Sequence, residues 1–258
     1  FFFQRCSHLM VLRLNGNRLR GRLTPSLGLE CKGLEDVDLG NNHLEGPVPS
    51  SLGRLRYLAF LRLQNNAFSG EIPALESCRQ TLQVLNLTNN KMEGTLAPLV
   101  VVHPAKPPEY LDDESTLAWQ PAPGPWPLLQ ELALGGNRIE GSVEALLAGA
   151  VLPHLRLLSL GNNRLGGNFG CAGSLELVPR LQGLFLDHNR LTGSLPSGLF
   201  ELRSLTKLCL NGNQLGGRVS PRIGRLAGLT DLWLSHNKFT GPLPIDIDND
   251  EEDDEGGR

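Results

Sequence analysis

One asparagine recurs along this chain at intervals of 24 to 26 residues, with a single interval of 47. Around each copy the same positions hold the same kind of side chain. Leu stands three and eight residues before it, Leu or Val stands five before it, and Gly follows four residues after it. A period of this length indicates a stack of short units and not a globule with one central core. The nine asparagines are Asn17, Asn42, Asn66, Asn90, Asn137, Asn163, Asn189, Asn213 and Asn237.

Each recurring position has a physical reason. The L-x-L segment alternates apolar and variable residues, which is typical of a strand with one buried face. One strand cannot bury that face alone, so successive copies must stack and share a continuous core. An Asn among buried leucines costs stability unless its amide is hydrogen-bonded, and a stacked turn offers backbone groups for it. A Gly in every unit indicates a backbone conformation or a close approach that excludes a Cβ.

The complete pattern, L-x-x-L-x-L-x-x-N-x-L-x-G, continues into apolar-Pro pairs in several units. From Leu9 to about Pro244 it resembles the plant-type leucine-rich repeat. The resemblance implies an α/β repeat solenoid that is right-handed and curved, with a parallel β-sheet on its concave face and about nine repeats. It also implies recognition, since members of the family are receptor ectodomains, receptor-like proteins and inhibitors of cell-wall enzymes. The apolar-Pro pairs are Val48-Pro49, Ile72-Pro73, Leu195-Pro196 and Leu243-Pro244.

Two segments depart from the repeat within the predicted domain organisation of 1–245 and 246–258. A Pro-rich insertion covers about 99–127 and lengthens one interval. It is either an extended loop or a contact arm with Tyr110, Trp119 and Trp126 as anchors, and the loop is the favoured interpretation. The acidic segment 246–258 is predicted to be disordered. Its alternate acids do not form an EF-hand, since Glu251 stands where Gly is needed and Gly257 where Glu is needed.

Charge and hydropathy exclude several classes of partner. The formal net charge is −3, and eight of the 27 acids lie in 246–255, which leaves 19 acids against 24 Lys and Arg. This weak balance predicts no binding to nucleic acid. No run approaches the ~18–20 apolar residues of a membrane helix, so no direct membrane insertion is predicted. The five cysteines are scattered; Cys6 and Cys31 share one register position, where a disulfide and two packed thiols both remain open.

Candidate binding residues are the strand positions that face away from the core. By register these lie six, four, two and one residues before each Asn. The position at minus four is polar in the first repeats and apolar in the last three, and exposed aromatics in a groove often carry binding energy. The preferred patch contains Phe185, Trp233, Cys209, His188, His236, Lys207 and Asp231. The second choice contains Arg13, Asp38 and Arg62.

Motifs for catalysis and metal binding are not found. The sequence lacks G-x-x-x-x-G-K, H-E-x-x-H and paired C-x-x-C. Cys209 beside His188 or His236 could imitate a Cys-His pair, but no residue that would orient the His is identifiable, so a groove thiol is favoured. The chain is therefore predicted to be no enzyme and to use no cofactor or metal.

The sequence favours a module that binds a protein or peptide through its concave face. The alternative is a structural or scaffold subunit that is permanently bound in a larger complex, such as one in an organelle or at a membrane. Asn86 begins the only glycosylation sequon, although it is expected on the concave sheet. An extracellular or cell-surface location follows from the receptor-like interpretation, and an intracellular or organellar one from the alternative.

Overall fold

The computed structural model describes residues 5–100, 126–149, 152–171, 175 and 178–244. The nine L-x-L segments form one parallel sheet in which each strand neighbours the next along the chain. This confirms the predicted solenoid with nine repeats and a parallel sheet on its concave face. The strands are β1 (Val11–Arg13), β2 (Asp36–Asp38), β3 (Phe60–Arg62), β4 (Val84–Asn86), β5 (Glu131–Ala133), β6 (Leu157–Ser159), β7 (Gly183–Phe185), β8 (Lys207–Cys209) and β9 (Asp231–Trp233).

The register of the sheet keeps equivalent positions side by side. The middle residue of one strand faces the middle residue of the next, as Leu61 faces Leu85 and Leu184 faces Leu208. These four side chains are fully buried. Their leucines join one continuous hydrophobic cluster that runs through the stack. Each repeat therefore buries its apolar face only against its neighbours, as expected for a solenoid.

The side chain of the recurring Asn forms hydrogen bonds to the backbone of the neighbouring repeat. The Nδ2 group of Asn189 donates to the carbonyl oxygens of Leu160 at 3.0 Å and Leu186 at 3.1 Å. Its Oδ1 accepts from the backbone N–H of Leu165 at 2.9 Å. Asn189 is only 8% exposed, so these bonds compensate an amide that has lost its water. The predicted role of the Asn is confirmed.

The chain turns at the recurring Gly and then forms short parallel strands beside the main sheet. All nine glycines have φ between +79° and +97°, a region that L side chains rarely adopt. The lateral strands were not predicted, because their Gly-containing segments show no alternating pattern. They are Arg20–Arg22, His43–Pro47, Ala67–Glu71 and Lys91–Glu93 in one sheet, Glu140–Ser142 with Arg164–Gly166, and Gly216–Arg218 with Lys238–Thr240.

Short helices close the side opposite the main sheet. Among the residues that the structure describes, the α-helices are α1 (Ser26–Glu30) and α2 (Val143–Gly149). Packing on this side is tight, because a Cβ on Gly53 would clash with the carbonyl oxygen of Ala74. The 3₁₀ helices with complete bounds are Ser50–Arg54, Ala97–Leu99, Phe169–Cys171, Ser197–Glu201 and Pro221–Arg225.

The strands on either side of the long interval are direct neighbours in the sheet. Strand β4 pairs directly with β5, and Leu85 faces Leu132 across that pair. Trp126 is 1% exposed, and its Nε1 donates to the carbonyl oxygen of Leu99 at 2.9 Å. It belongs to the core, so its suggested role as an anchor of a contact arm is wrong. Tyr110, Trp119 and the acidic segment 246–258 lie outside the described residues.

Candidate functional site

The predicted C-terminal patch lies on the last three strands of the concave sheet. Phe185 on β7 faces Cys209 on β8, and Cys209 faces Trp233 on β9. Because adjacent strands are ~4.8 Å apart, the two aromatic side chains lie about 10 Å from each other. Trp233 is 58% exposed and Phe185 is half-buried. The patch thus offers an exposed indole beside a partly covered ring.

Lys207 and Asp231 form the charged border of this patch. They face each other in the register of β8 and β9, and their charged groups approach to 3.6 Å. Both side chains are substantially open to solvent, at 54% and 37% exposure. An ion pair this exposed contributes little to stability, so both groups remain available to a ligand.

Cys209 differs from its predicted role as an exposed groove residue. It is only 6% exposed, although it lies between Phe185 and Trp233 in the register of the sheet. Burial raises the pKa of the Cys209 thiol, the carboxylates of Asp187 and Asp231 raise it further, and Lys207 opposes them. A thiol held in its protonated form is a poor nucleophile. Cys209 is therefore a supporting residue of the patch and not a reactive one.

The position directly before the recurring Asn requires left-handed backbone. Asn41, Asn65 and Asn89 adopt φ of 56°, 56° and 53° there, and their side-chain amides bond in series at 2.8 Å. His188 and His236 occupy the same position with φ of 50° and 56°. Both histidines are exposed. The left-handed backbone explains why the other repeats have Gly or Asn at this position, since these residues tolerate a positive φ best.

His188 and His236 occupy a left-handed position at which the repeat itself does not require a histidine. His188 makes a side-chain contact of 3.3 Å between its Nε2 and the Nδ2 of Asn211. The backbone N–H of His188 donates to the carbonyl oxygen of Asn211 in the next repeat. These two contacts join His188 to the repeat that contains Cys209. Among the described residues, no group of His, Cys, Asp and Glu has a metal-binding arrangement.

The N-terminal residues of the second choice are only partly brought together. Arg13 donates from two nitrogens to Oδ2 of Asp36, at 3.0 and 2.6 Å, and Arg62 donates to Oδ1 at 3.2 Å. Asp36 is 5% exposed. The hydrogen bond to Asp36 and its charge raise the pKa of the Arg13 guanidinium. Arg62 also lies over the ring of Phe60, 4.8 Å from its centroid.

Asp38 contributes only its charge to this N-terminal cluster of Arg13, Asp36 and Arg62, where it adds to the raised pKa of Arg13. Its Oδ1 accepts a hydrogen bond of 3.0 Å from the backbone N–H of Gly40, two residues later. Asp38 therefore supports its own turn. Asp36 is the central residue that the predicted list omitted. The sequence could have indicated Asp36, because it lies on the strand between those of the two arginines, at the outward position next to Asp38.

Asn86 lies on the concave sheet, as its register predicts. Its Nδ2 donates to a carboxylate oxygen of Glu131 on the next strand at 3.0 Å. Its Oδ1 accepts from the backbone N–H of Thr88 at 3.1 Å. A glycan is attached at Nδ2, so it would replace the bond to Glu131 and cover the middle of the sheet. Glycosylation at Asn86 stays a prediction.

The five cysteines are thiols in the structure. Cys31 is buried and Cys6 is half-buried in the preceding repeat. Burial raises the pKa of the Cys31 thiol, and Cys6 and Glu30 add to the increase. The structure thus presents packed thiols, which was one of the two open alternatives. No helix in the described part of the chain combines the length and the apolar character that crossing a bilayer requires.

Comparison with known proteins also finds leucine-rich repeats in this chain. The family model for the leucine-rich repeat matches residues 33–55, 180–202 and 228–249. No curated protein matches the chain. The structure is similar to the plant peptide hormone receptor RGFR1, solved in complex with RGF2, with 28% identity over 92% of this chain and 34% of that chain and a TM-score of 0.74.

Two further structures show how widely this fold is used. The Arabidopsis receptor kinase HAESA, solved with the peptide hormone IDA and the co-receptor SERK1, is 27% identical over 93% of this chain and 35% of that chain, with a TM-score of 0.76. A plant ice-binding protein is 24% identical over 91% of this chain and 66% of that chain, with a TM-score of 0.68, a likeness that concerns the fold. This chain spans about a third of the length of the two receptor structures. Three stretches of the chain thus match the leucine-rich-repeat model, and its repeats are similar to those of plant receptor ectodomains.

Proposed function

We propose that this chain is a recognition module that binds a protein or peptide along its concave sheet, with the C-terminal patch as the main contact. The observation that carries the proposal is the exposure of Trp233, at 58%, near the charged side chains of Lys207 and Asp231. Exposed Trp side chains surrounded by polar groups are frequent centres of binding energy. Phe185, half-buried two strands away, extends the apolar surface.

The charged and polar neighbours of Trp233 favour a peptide over a purely apolar ligand. Lys207 and Asp231 can each bond to a peptide's backbone or side chains, because their own pairing is exposed and 3.6 Å long. His188 and His236 add ring nitrogens at the border. A sheet of nine strands at ~4.8 Å spacing is about 40 Å long, which suits an extended chain better than a small metabolite.

The similar receptor structures support the same class of ligand. RGFR1 was solved with RGF2, and HAESA with a peptide hormone and a co-receptor. These ligands belong to those proteins, and this chain covers about a third of each. The shared repeat geometry supports the proposal that this chain holds a peptide on its concave surface.

We propose further that binding involves no catalytic step. The nucleophile nearest the exposed aromatics, Cys209, is buried, and its raised pKa keeps it protonated at neutral pH. None of the described side chains is hydrogen-bonded to it in a way that would remove its proton. The chemistry of the patch is thus that of non-covalent contact.

Selection from a displayed library of linear peptides tests this proposal. Enriched peptides are titrated by fluorescence anisotropy against the whole chain, Trp233→Ala and Tyr57→Ala. Tyr57 is the matched control, because it is 61% exposed but precedes the strand β3. We expect Trp233→Ala to weaken binding by roughly 30-fold or more, the scale of a hot-spot residue, and Tyr57→Ala by less than about twofold.

Two results would contradict the proposal. One is a failure to enrich any peptide above an unrelated leucine-rich-repeat chain. The other is equal affinity of the enriched peptides for the whole chain and for Trp233→Ala, which would place the contact elsewhere. Thermal unfolding of each variant shows that the comparison is made between folded proteins.

A further inference from the structure

A cavity of about 300 Å³ lies outside the concave surface, at the edge where the strands β4 to β7 begin. Its side chains come from four successive repeats. Backbone bonds fix their spacing, since the N–H groups of Arg156 and Gln182 donate to the carbonyl oxygens of Gln130 and Arg156 at 2.8 Å. We call it the edge pocket. Its described lining residues are Gln83, Leu128, Gln130, His154, Arg156 and Arg180.

Arg180 and His154 together determine one proton position in the edge pocket. Nη1 of Arg180 lies 2.9 Å from Nδ1 of His154. A guanidinium has donors and no acceptor, so Nδ1 of His154 must accept this bond. The neutral ring then carries its proton on Nε2, where it is a donor. Arg180 keeps further N–H groups that this bond does not use.

The amide pair adds another donor. Nε2 of Gln130 donates to Oε1 of Gln83 at 3.3 Å. Whichever of the two amides donates, the NH₂ group of the other one has no described hydrogen-bond partner. Arg156 is exposed, and neither it nor Arg180 is in an ion pair with a described residue. The described lining of the edge pocket thus contains two cations and no carboxylate.

We propose that the edge pocket binds an oxyanion, a phosphate or sulfate group carried by a ligand. Two guanidinium groups, one imidazole N–H and one amide NH₂ converge on a space that no described acid neutralises. Guanidinium forks match the oxygens of such groups and form charge-assisted hydrogen bonds with them. Leu128, 42% exposed, supplies an apolar wall for the part of the ligand that bears the anion. The site is separate from the C-terminal patch and goes beyond the proposed function.

Titration of the whole chain with inorganic phosphate and, separately, inorganic sulfate tests the site. Calorimetry is run at constant ionic strength, with chloride as the balancing anion. We expect Arg156→Gln and Arg180→Gln each to weaken binding about tenfold, the size of one lost charge-assisted bond. Arg180→Lys keeps the charge but loses the fork, so it should recover only part of the affinity. The relative affinity for phosphate and sulfate shows which of the two groups the pocket prefers.

Arg164→Gln is the matched control, because Arg164 is exposed on a lateral strand and its removal changes the net charge equally. It should alter the affinity by less than about twofold, as expected of a distant exposed charge. Binding of phosphate and sulfate no tighter than chloride would overturn the proposal. So would an equal loss in Arg164→Gln, which would reveal general electrostatic attraction, or full affinity in the variant that lacks both Arg156 and Arg180.

Discussion

The two ends of the concave sheet treat their outward side chains in opposite ways. At the N-terminal end, a buried carboxylate on Asp36 is bonded by Arg13 and Arg62, so the charges there largely satisfy one another. At the C-terminal end, Trp233 stays exposed and the Lys207–Asp231 pair is open. Side chains that are already satisfied have less to gain from a ligand than exposed ones. On this ground we propose the C-terminal patch, and not the N-terminal cluster, as the contact surface.

The largest expected effect is a difference in the free energy of unfolding between two substitutions, one at the interior Asn189 and one at Asn17 in the first repeat. Asn189→Ala should lower the free energy of unfolding by about 2–3 kcal/mol, because it leaves buried backbone groups of two repeats without partners. Among the described residues, the side chain of Asn17 bonds only to its own turn, at Leu14 and Asn15, and is exposed. Asn17→Ala should therefore cost under about 1 kcal/mol.

Urea unfolding followed by circular dichroism measures both variants. If Asn17→Ala and Asn189→Ala shift the midpoint equally, the bonds between repeats are not what distinguishes the interior from the end.

The next effect compares the charged groups themselves. Asp36→Asn should destabilise the fold by about 1–2 kcal/mol, since a buried acceptor of three hydrogen bonds loses its charge. Asp231→Asn removes an exposed partner of Lys207 and should change stability by less than about 0.5 kcal/mol. The same urea measurement applies. A larger loss for Asp231→Asn than for Asp36→Asn would reverse the contrast between the two ends.

The smallest effect concerns the buried thiol of Cys209 within the C-terminal patch. Because Cys209 is buried and its pKa is raised, its alkylation by iodoacetamide at pH 8 should be at least about tenfold slower than that of exposed Cys171. The folded state holds this proton more tightly than the unfolded chain does. The resulting stabilisation is complete below the ordinary thiol pKa and is lost as pH rises through the raised value.

Mass spectrometry after timed alkylation gives the rate at each cysteine as a function of pH. Equal rates at Cys209 and Cys171 near pH 8 would mean that the patch opens readily in solution.

Much of the candidate site could be predicted from the sequence, but not its contacts. Register placed Phe185, Cys209 and Trp233 side by side, because one repeat equals one step along the sheet. It could not tell that Cys209 is covered while Trp233 is exposed, since both stand at the same position of the repeat. It also grouped Arg13 and Arg62 with Asp38, their direct neighbour in the register, whereas the salt bridges of both arginines go to Asp36.

The sequence by itself determined the number of repeats, the parallel sheet and the Asn bonded between repeats, and it required a Gly whose left-handed backbone only the structure showed. These depend on spacing along the chain, and a period of about 24 residues leaves one way to bury every Leu. Only the tertiary structure decided that Trp126 is a core residue and that Arg156, Arg180 and His154 surround one pocket. Those outcomes depend on side chains from different repeats meeting across the stack, and the reach and burial of each side chain are properties of packing.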